Sequence, residues 1–225
     1  RSFSISGDGR TVAFRNFDPN LLPPGVDTEG REDVLVRGVD ASDPTGVDTL
    51  LFHDNRLVDS VLEVLDTGTN MLRTLCPATQ AAVAGGMAAF LRPESPTGTG
   101  ACPGGSLNGD ADVADAVALL WPGGGNPVSL GVAATAVAMS DTTIAALVSE
   151  RGQNDTILNG DGDRNDTVVE VHPATVPGVW TNTGQAGDTL QVCGPRAVFL
   201  TPEWQQGNVS LNPPDADTTD RVLQI

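Results

Sequence analysis

Apolar residues fall in short runs along this chain. Examples are MAAFL (87–91), AVALLW (116–121), TIAALV (143–148), TVVEV (167–171) and AVFLT (197–201), each set off by Gly, Pro, Asn or Asp. Runs of roughly four to seven residues rich in Val, Ile and Phe and bounded by turn residues read as buried strands rather than helices. The pattern predicts an all-β chain.

The runs recur in register. LNGDADVADAVALL (107–120), LNGDGDRNDTVVEV (158–171) and DADTTDRVLQI (215–225) align with acidic loops that begin at Asp110, Asp161 and Asp215, which are 51 and 54 apart; a further 56 residues back lies Asp54. Five residues after each start stands another aspartate: Asp59, Asp115, Asp166 and Asp220. A second element keeps the same phase. A turn residue (Gly9, Gly85, Asp141, Gly194) precedes by nine an acidic one (Asp18, Glu94, Glu150, Glu203), with small apolar residues between.

Each unit then holds an apolar strand, an acidic loop, an alternating strand, and a Gly-containing stretch such as those near Gly131 and Gly184 that leads to further strands. About four strands per unit of this length predict a β-propeller built from about four repeats of four-stranded antiparallel blades, with a β-solenoid as the alternative. The repeats run approximately over 1–70 (with an insertion at 16–49), 71–125, 126–176 and 177–225. Residues 1–225 are thus a single propeller domain or a portion of a larger one.

Two stretches carry a family resemblance. SISGDGRTVAFRNFDPNLLPPGVDTEGREDVLVRG, within residues 4–38, resembles the repeat of TolB-like propellers: a Ser-x-Asp-Gly-Arg turn, a Val-Ala-Phe strand, then an Asp-Val-x-Val strand. LNGDGDRNDTVV resembles the calcium loop of FG-GAP propellers. The resemblance implies a propeller with calcium in its blade loops.

Charge narrows the function classes. The net charge is −17, and every basic residue is Arg. Nucleic acid would be repelled, because its binding rests on Lys and Arg neutralising phosphates. No apolar run approaches the roughly 20 residues of a membrane helix. Opening on Arg1, the sequence reads as a mature, processed or excised piece of a longer precursor, secreted, periplasmic or displayed at a cell surface. Of the three cysteines, Cys76 and Cys102 are candidates for a disulfide, the other reading being three buried thiols; either way one cysteine is odd.

The acidity is clustered rather than scattered, which favours a ligand role over general solvation. Calcium takes six to eight oxygens, and Asp-x-Asp-x-x-Asp in a turning loop can supply several. The candidate metal ligands are Asp110, Asp112 and Asp115; Asp161, Asp163 and Asp166; Asp215, Asp217 and Asp220. The competing reading is turn chemistry, in which Asp and Asn side chains accept hydrogen bonds from nearby backbone. In the first copy Arg56 stands between Asp54 and Asp59, so that loop is expected to be ion-free and bridged by the guanidinium. Asp27 and Glu29 form a weaker additional candidate.

Catalytic signatures such as HExxH and GxSxG are absent from the sequence, and His53 and His172 stand in unrelated surroundings. Asp18, Glu94, Glu150 and Glu203 could be rim carboxylates of a glycan hydrolase or lyase, although a repeat supplies similar groups where catalysis needs dissimilar ones. Trp121, Trp180 and Trp204 are stacking platforms for carbohydrate, anchors for a partner, or packing residues. Three functions remain open: a calcium-stabilised binding or scaffold module for a protein or carbohydrate, a glycan-cleaving enzyme, and a subunit of an extracellular assembly joined through terminal strands.

Overall fold

The computed structural model describes residues 60–95, 98 and 102–225 in full. Within residues 1–59 it describes the backbone of three strands, β1 (Phe3–Ile5), β2 (Val12–Asn16) and β3 (Asp33–Leu35), which form a small antiparallel sheet. Asp18, Asp27, Glu29, His53 and the Asp54–Asp59 loop with Arg56 lie outside the described residues.

The rest is all-β, as the short apolar runs predict. The strands are β4 (Val61–Asp66), β5 (Met71–Pro77), β6 (Gln80–Ala84), β7 (Met87–Pro93), β8 (Ala116–Trp121), β9 (Val128–Met139), β10 (Thr143–Ser149), β11 (Thr167–Pro173), β12 (Thr181–Ala186), β13 (Thr189–Cys193), β14 (Arg196–Pro202) and β15 (Arg221–Gln224). Strands β6 to β12 form one curled seven-stranded sheet in chain order; β4–β5 and β13–β14–β15 are separate sheets. Among the described residues every strand pairing is antiparallel and joins consecutive strands, a meander rather than the layer-on-layer stacking of a solenoid.

The all-β expectation holds, while the described residues show one curled seven-stranded sheet and no closed ring of four four-stranded blades. The physical reason is β9. Its 12 residues pair with β8 through Val128–Ala133 and with β10 through Ala134–Met139, so one strand closes one meander and opens the next. Gly131, at φ +76°, sits in the half that meets β8, where a residue with a Cβ would be strained. Glu94, Glu150 and Glu203 directly follow β7, β10 and β14, and Asp115, Asp166 and Asp220 directly precede β8, β11 and β15.

Alternate residues along these strands enter different cores. From β7 and β8, Ala88, Phe90, Val117, Leu119 and Trp121 pack with Leu62, Val64 and Leu75, whereas Ala89, Leu91, Ala118 and Leu120 pack with Ile144, Ala146 and Val148 of β10. Leu147 and Val169 turn the other way, onto Phe199 of β14. The central strands are therefore covered on both faces, which is why they read as continuous apolar runs. A disulfide joins Cys76 to Cys102, tying β5 to the segment that follows β7; Cys193 is free and exposed.

Candidate metal centres

Each acidic loop is closed at its base by a backbone hydrogen bond between neighbouring strands. Glu94 N–H donates to the Asp115 carbonyl at 2.8 Å, Glu150 to Asp166 at 3.1 Å, and Glu203 to Asp220 at 3.0 Å. The glutamate ends one strand and the last aspartate of the loop precedes the next, so this bond sets two carboxylates side by side. The loop between them supplies the others.

The outcome is three groups of carboxylates. One ligand oxygen from each of Glu94, Asp110, Asp112 and Asp115 lies within 4.8 Å of the others, and the same holds for Glu150, Asp163 and Asp166, and for Glu203, Asp217 and Asp220. Such clusters can hold a metal ion. Asp161 and Asp215 stand outside these groups; the Oδ1 of Asp161 accepts the Asp163 N–H at 3.0 Å, and that of Asp215 the Asp217 N–H at 3.1 Å.

Sequence reading placed the aspartates and missed the glutamates as members of the site. The signal was present, since Glu94, Glu150 and Glu203 recur in phase with the loops, but distance along the chain concealed that the strand end folds back onto the loop. All three are buried, Glu150 and Glu203 completely. Their Oε1 atoms do equivalent work: each accepts a backbone N–H from the leucine ahead of the loop, Leu107, Leu158 at 2.6 Å and Leu211 at 2.5 Å. The Oε2 atoms of Glu94 and Glu203 are buried without a hydrogen-bond partner.

Turn chemistry is also present. Asp112 N–H donates to Asp110, Ala114 to Asp112, Asn165 to Asp163 and Thr219 to Asp217, a succession of Asx turns at 2.8–3.1 Å. These bonds fall on one oxygen of Asp112, Asp163 and Asp217, whereas Asp110 also accepts from the Asn108 amide on its second oxygen. They do not account for an unpartnered buried glutamate oxygen, whose desolvation is costly unless something positive meets it.

Proximity of like charge marks two members. Burial, then Asp110, Asp112 and Glu94, pushes the Asp115 carboxyl up to about 6. Asp166 rises to about 7 through burial and the charges of Asp163 and Asp161. Asp110 moves down despite burial, because Asn108, the Asp112 N–H and Ser106 donate to it. Without a cation the loops hold mutually repelling carboxylates; with one, the same arrangement becomes favourable.

The remaining candidates are placed by packing. His172 is buried against Trp180 at 5.0 Å, its Nδ1 2.6 Å from the Pro173 carbonyl. Trp180 Nε1 donates to the Leu130 carbonyl at 2.8 Å, and Trp121 belongs to the core. Trp204 is exposed beneath the Arg221 guanidinium at 4.8 Å. Comparison with protein-family models, curated proteins and solved structures finds no match for this chain.

Proposed function

We propose that the chain is an extracellular calcium-stabilised module of propeller type, serving as a binding or scaffold unit. The observation that carries this reading is the Glu203 carboxylate, fully buried, with one oxygen unpartnered and within ligand distance of Asp217 and Asp220. An ion there meets the orphan oxygen and relieves the repulsion among the three.

Calcium suits the donors. They are all hard carboxylate oxygens, and an ion about 2.4 Å from each can bridge oxygens up to about 4.8 Å apart, whereas magnesium demands a tighter and more regular octahedron. The Cys76–Cys102 disulfide fits an oxidising compartment, where calcium is also plentiful. The stacked cores and the blade-like repeat of meanders favour a propeller over other all-β architectures.

The glycan-cleaving alternative draws no support from the site. The recurrent glutamates it would use are turned into the loops and hold backbone N–H groups. Two open depressions, about 250 and 460 Å³, are lined by a single acidic side chain, Asp115, and by none respectively. Neither offers the pair of unlike carboxylates that glycoside hydrolysis requires. Among the described residues no helix is long and apolar enough to cross a membrane.

Metal analysis of the full chain after dialysis against trace calcium tests the reading. About three calcium ions per chain are expected from the three described loops. A metal-free protein, or one that retains magnesium and rejects calcium, would contradict it.

A further inference from the structure

The three centres are joined in series. The Asn108 side-chain amide donates to Asp110 Oδ2 at 2.9 Å and, from the same nitrogen, to the Gly152 carbonyl at 2.7 Å. Asp110 belongs to the first centre; Gly152 lies two residues beyond Glu150, the buried glutamate of the second. A similar bridge stands in the next loop, where the asparagine holds the last loop aspartate instead of the first. Asn159 Nδ2 donates to Asp166 Oδ2 at 3.2 Å and to the Gln205 carbonyl at 2.8 Å, and Gln205 lies two residues beyond Glu203 of the third centre.

The turns so gripped differ in backbone, Glu203–Gln205 forming one 3-10 turn closed from Gln206 N–H to the Glu203 carbonyl, but share a glutamine contact. After Glu150 the chain reverses through bonds from Gln153 N–H to the Ser149 carbonyl and from Thr156 N–H to the Glu150 carbonyl, at 2.8 and 3.0 Å. Gln153 Oε1 then accepts the Ala133 N–H, and Gln206 Oε1 accepts the Ala186 N–H in the corresponding place. Gly152 packs so closely on the first centre that a Cβ there would sit 2.7 Å from Asp115 Oδ1. Each turn is therefore clamped between its own repeat and the loop of the preceding one.

We infer that the three centres fill cooperatively, each ion helping to form the next centre through Asn108 and Asn159. This rests on the proposed binding of calcium. Without an ion, repulsion displaces the loop carboxylates, and the asparagine amide loses the acceptor that orients it. The turn beyond then loses a clamp, and the glutamate that starts that turn loses its fixed position. With the ion bound the sequence runs in reverse. Because coupling between binding sites is reciprocal, an ion at the second centre equally favours the first and third. Neighbour-only coupling is the behaviour expected of stacked repeats.

The test is calorimetric titration of the full chain with calcium chloride, for the parent, Asp163→Asn and Asp112→Asn. The parent is expected to take up about three ions with a Hill coefficient above 1. Asp163→Asn removes the middle centre and is expected to weaken the two outer ones by about 5-fold or more, the lower end of typical coupling. Asp112→Asn, at an exposed loop position, is expected to weaken the second centre more than the third. Loss of one ion in each variant with unchanged affinity at the remaining centres would overturn the coupling and leave the centres intact. A parent that binds no calcium would overturn the underlying reading instead.

Discussion

Glu203 accepts the Leu211 N–H on Oε1 at 2.5 Å, while its Oε2, equally buried, meets no hydrogen-bond donor. One oxygen of the carboxylate is thus fixed by the fold and the other is left without a donor, in a group that brings a ligand oxygen within 4.8 Å of Asp217 and Asp220. A purely structural glutamate would be expected to satisfy both oxygens. A ligand would not.

Replacement of this residue by glutamine separates the two roles. In EDTA, Glu203→Gln removes a buried charge and gives the cluster an amide donor, so the variant should melt no lower than the parent. In millimolar calcium it loses an ion ligand and should fall below the parent by several degrees, as a loss of about 2 kcal/mol would produce in a chain of this size. Thermal melts of both proteins in both buffers check the reversal. An equal loss in both conditions would mean that the glutamate serves packing alone.

The disulfide closes a loop with a sequence separation of 26 residues and ties β5 beneath the segment leading to the first centre. Constraint of the unfolded chain by a loop of that size stabilises by about 3 kcal/mol. A Cys76→Ala, Cys102→Ala double variant should therefore melt several degrees lower, as calorimetry can show. Parent protein under non-reducing mass analysis should show one bridge and one thiol, Cys193, open to alkylation without unfolding.

Glu170 is a buried carboxyl on β11, and burial raises its pKa above the ordinary 4.5. The sign follows from linkage. The folded state binds the proton more tightly than the unfolded state, so its stabilising contribution is complete below about 4.5 and is lost as pH rises through the folded pKa. Glu170→Gln should remove that loss. The variant should melt above the parent at pH 7 and level with it at pH 4. Denaturation followed across this range would reveal the difference, and parallel curves would show that Glu170 is not the group responsible.

Gly152 links two repeats through contact rather than conformation. A Cβ there would stand 2.9 Å from the Ala133 Cβ as well as 2.7 Å from Asp115 Oδ1. Gly152→Ala should cost about 1–3 kcal/mol by overpacking, and the loss should appear in urea denaturation with and without calcium.

The sequence made the strands legible because their apolar runs are short and bounded by Gly, Pro and Asp, and the register of the loops showed which aspartates would recur together. Two things could not be read there. The first was β9: SLGVAATAVAM contains nothing that distinguishes a single strand serving two meanders from two strands with a turn at Gly131. The second was the alliance of Glu94, Glu150 and Glu203 with the loops. These glutamates lie 11 to 16 residues ahead of the first loop aspartate, and only the backbone bond between strand ends brings them in. The same fold-back turned candidate rim carboxylates into inward-facing ones. Asp161 and Asp215 open the loops and stand outside the carboxylate groups, each accepting on Oδ1 the N–H of the next loop aspartate. Within residues 4–38, which resemble TolB-like repeats, the described residues reach only the short strands β1, β2 and β3.

The most direct test of the account is the melting temperature of the full chain in EDTA and in millimolar calcium. Three centres each at a calcium concentration about 100-fold above Kd would together stabilise by several kcal/mol, so a rise of at least about 10 °C is predicted. An unchanged melting temperature, with no calcium bound, would mean that the acidic loops are turns alone and that the buried glutamate oxygens are met by something other than a cation.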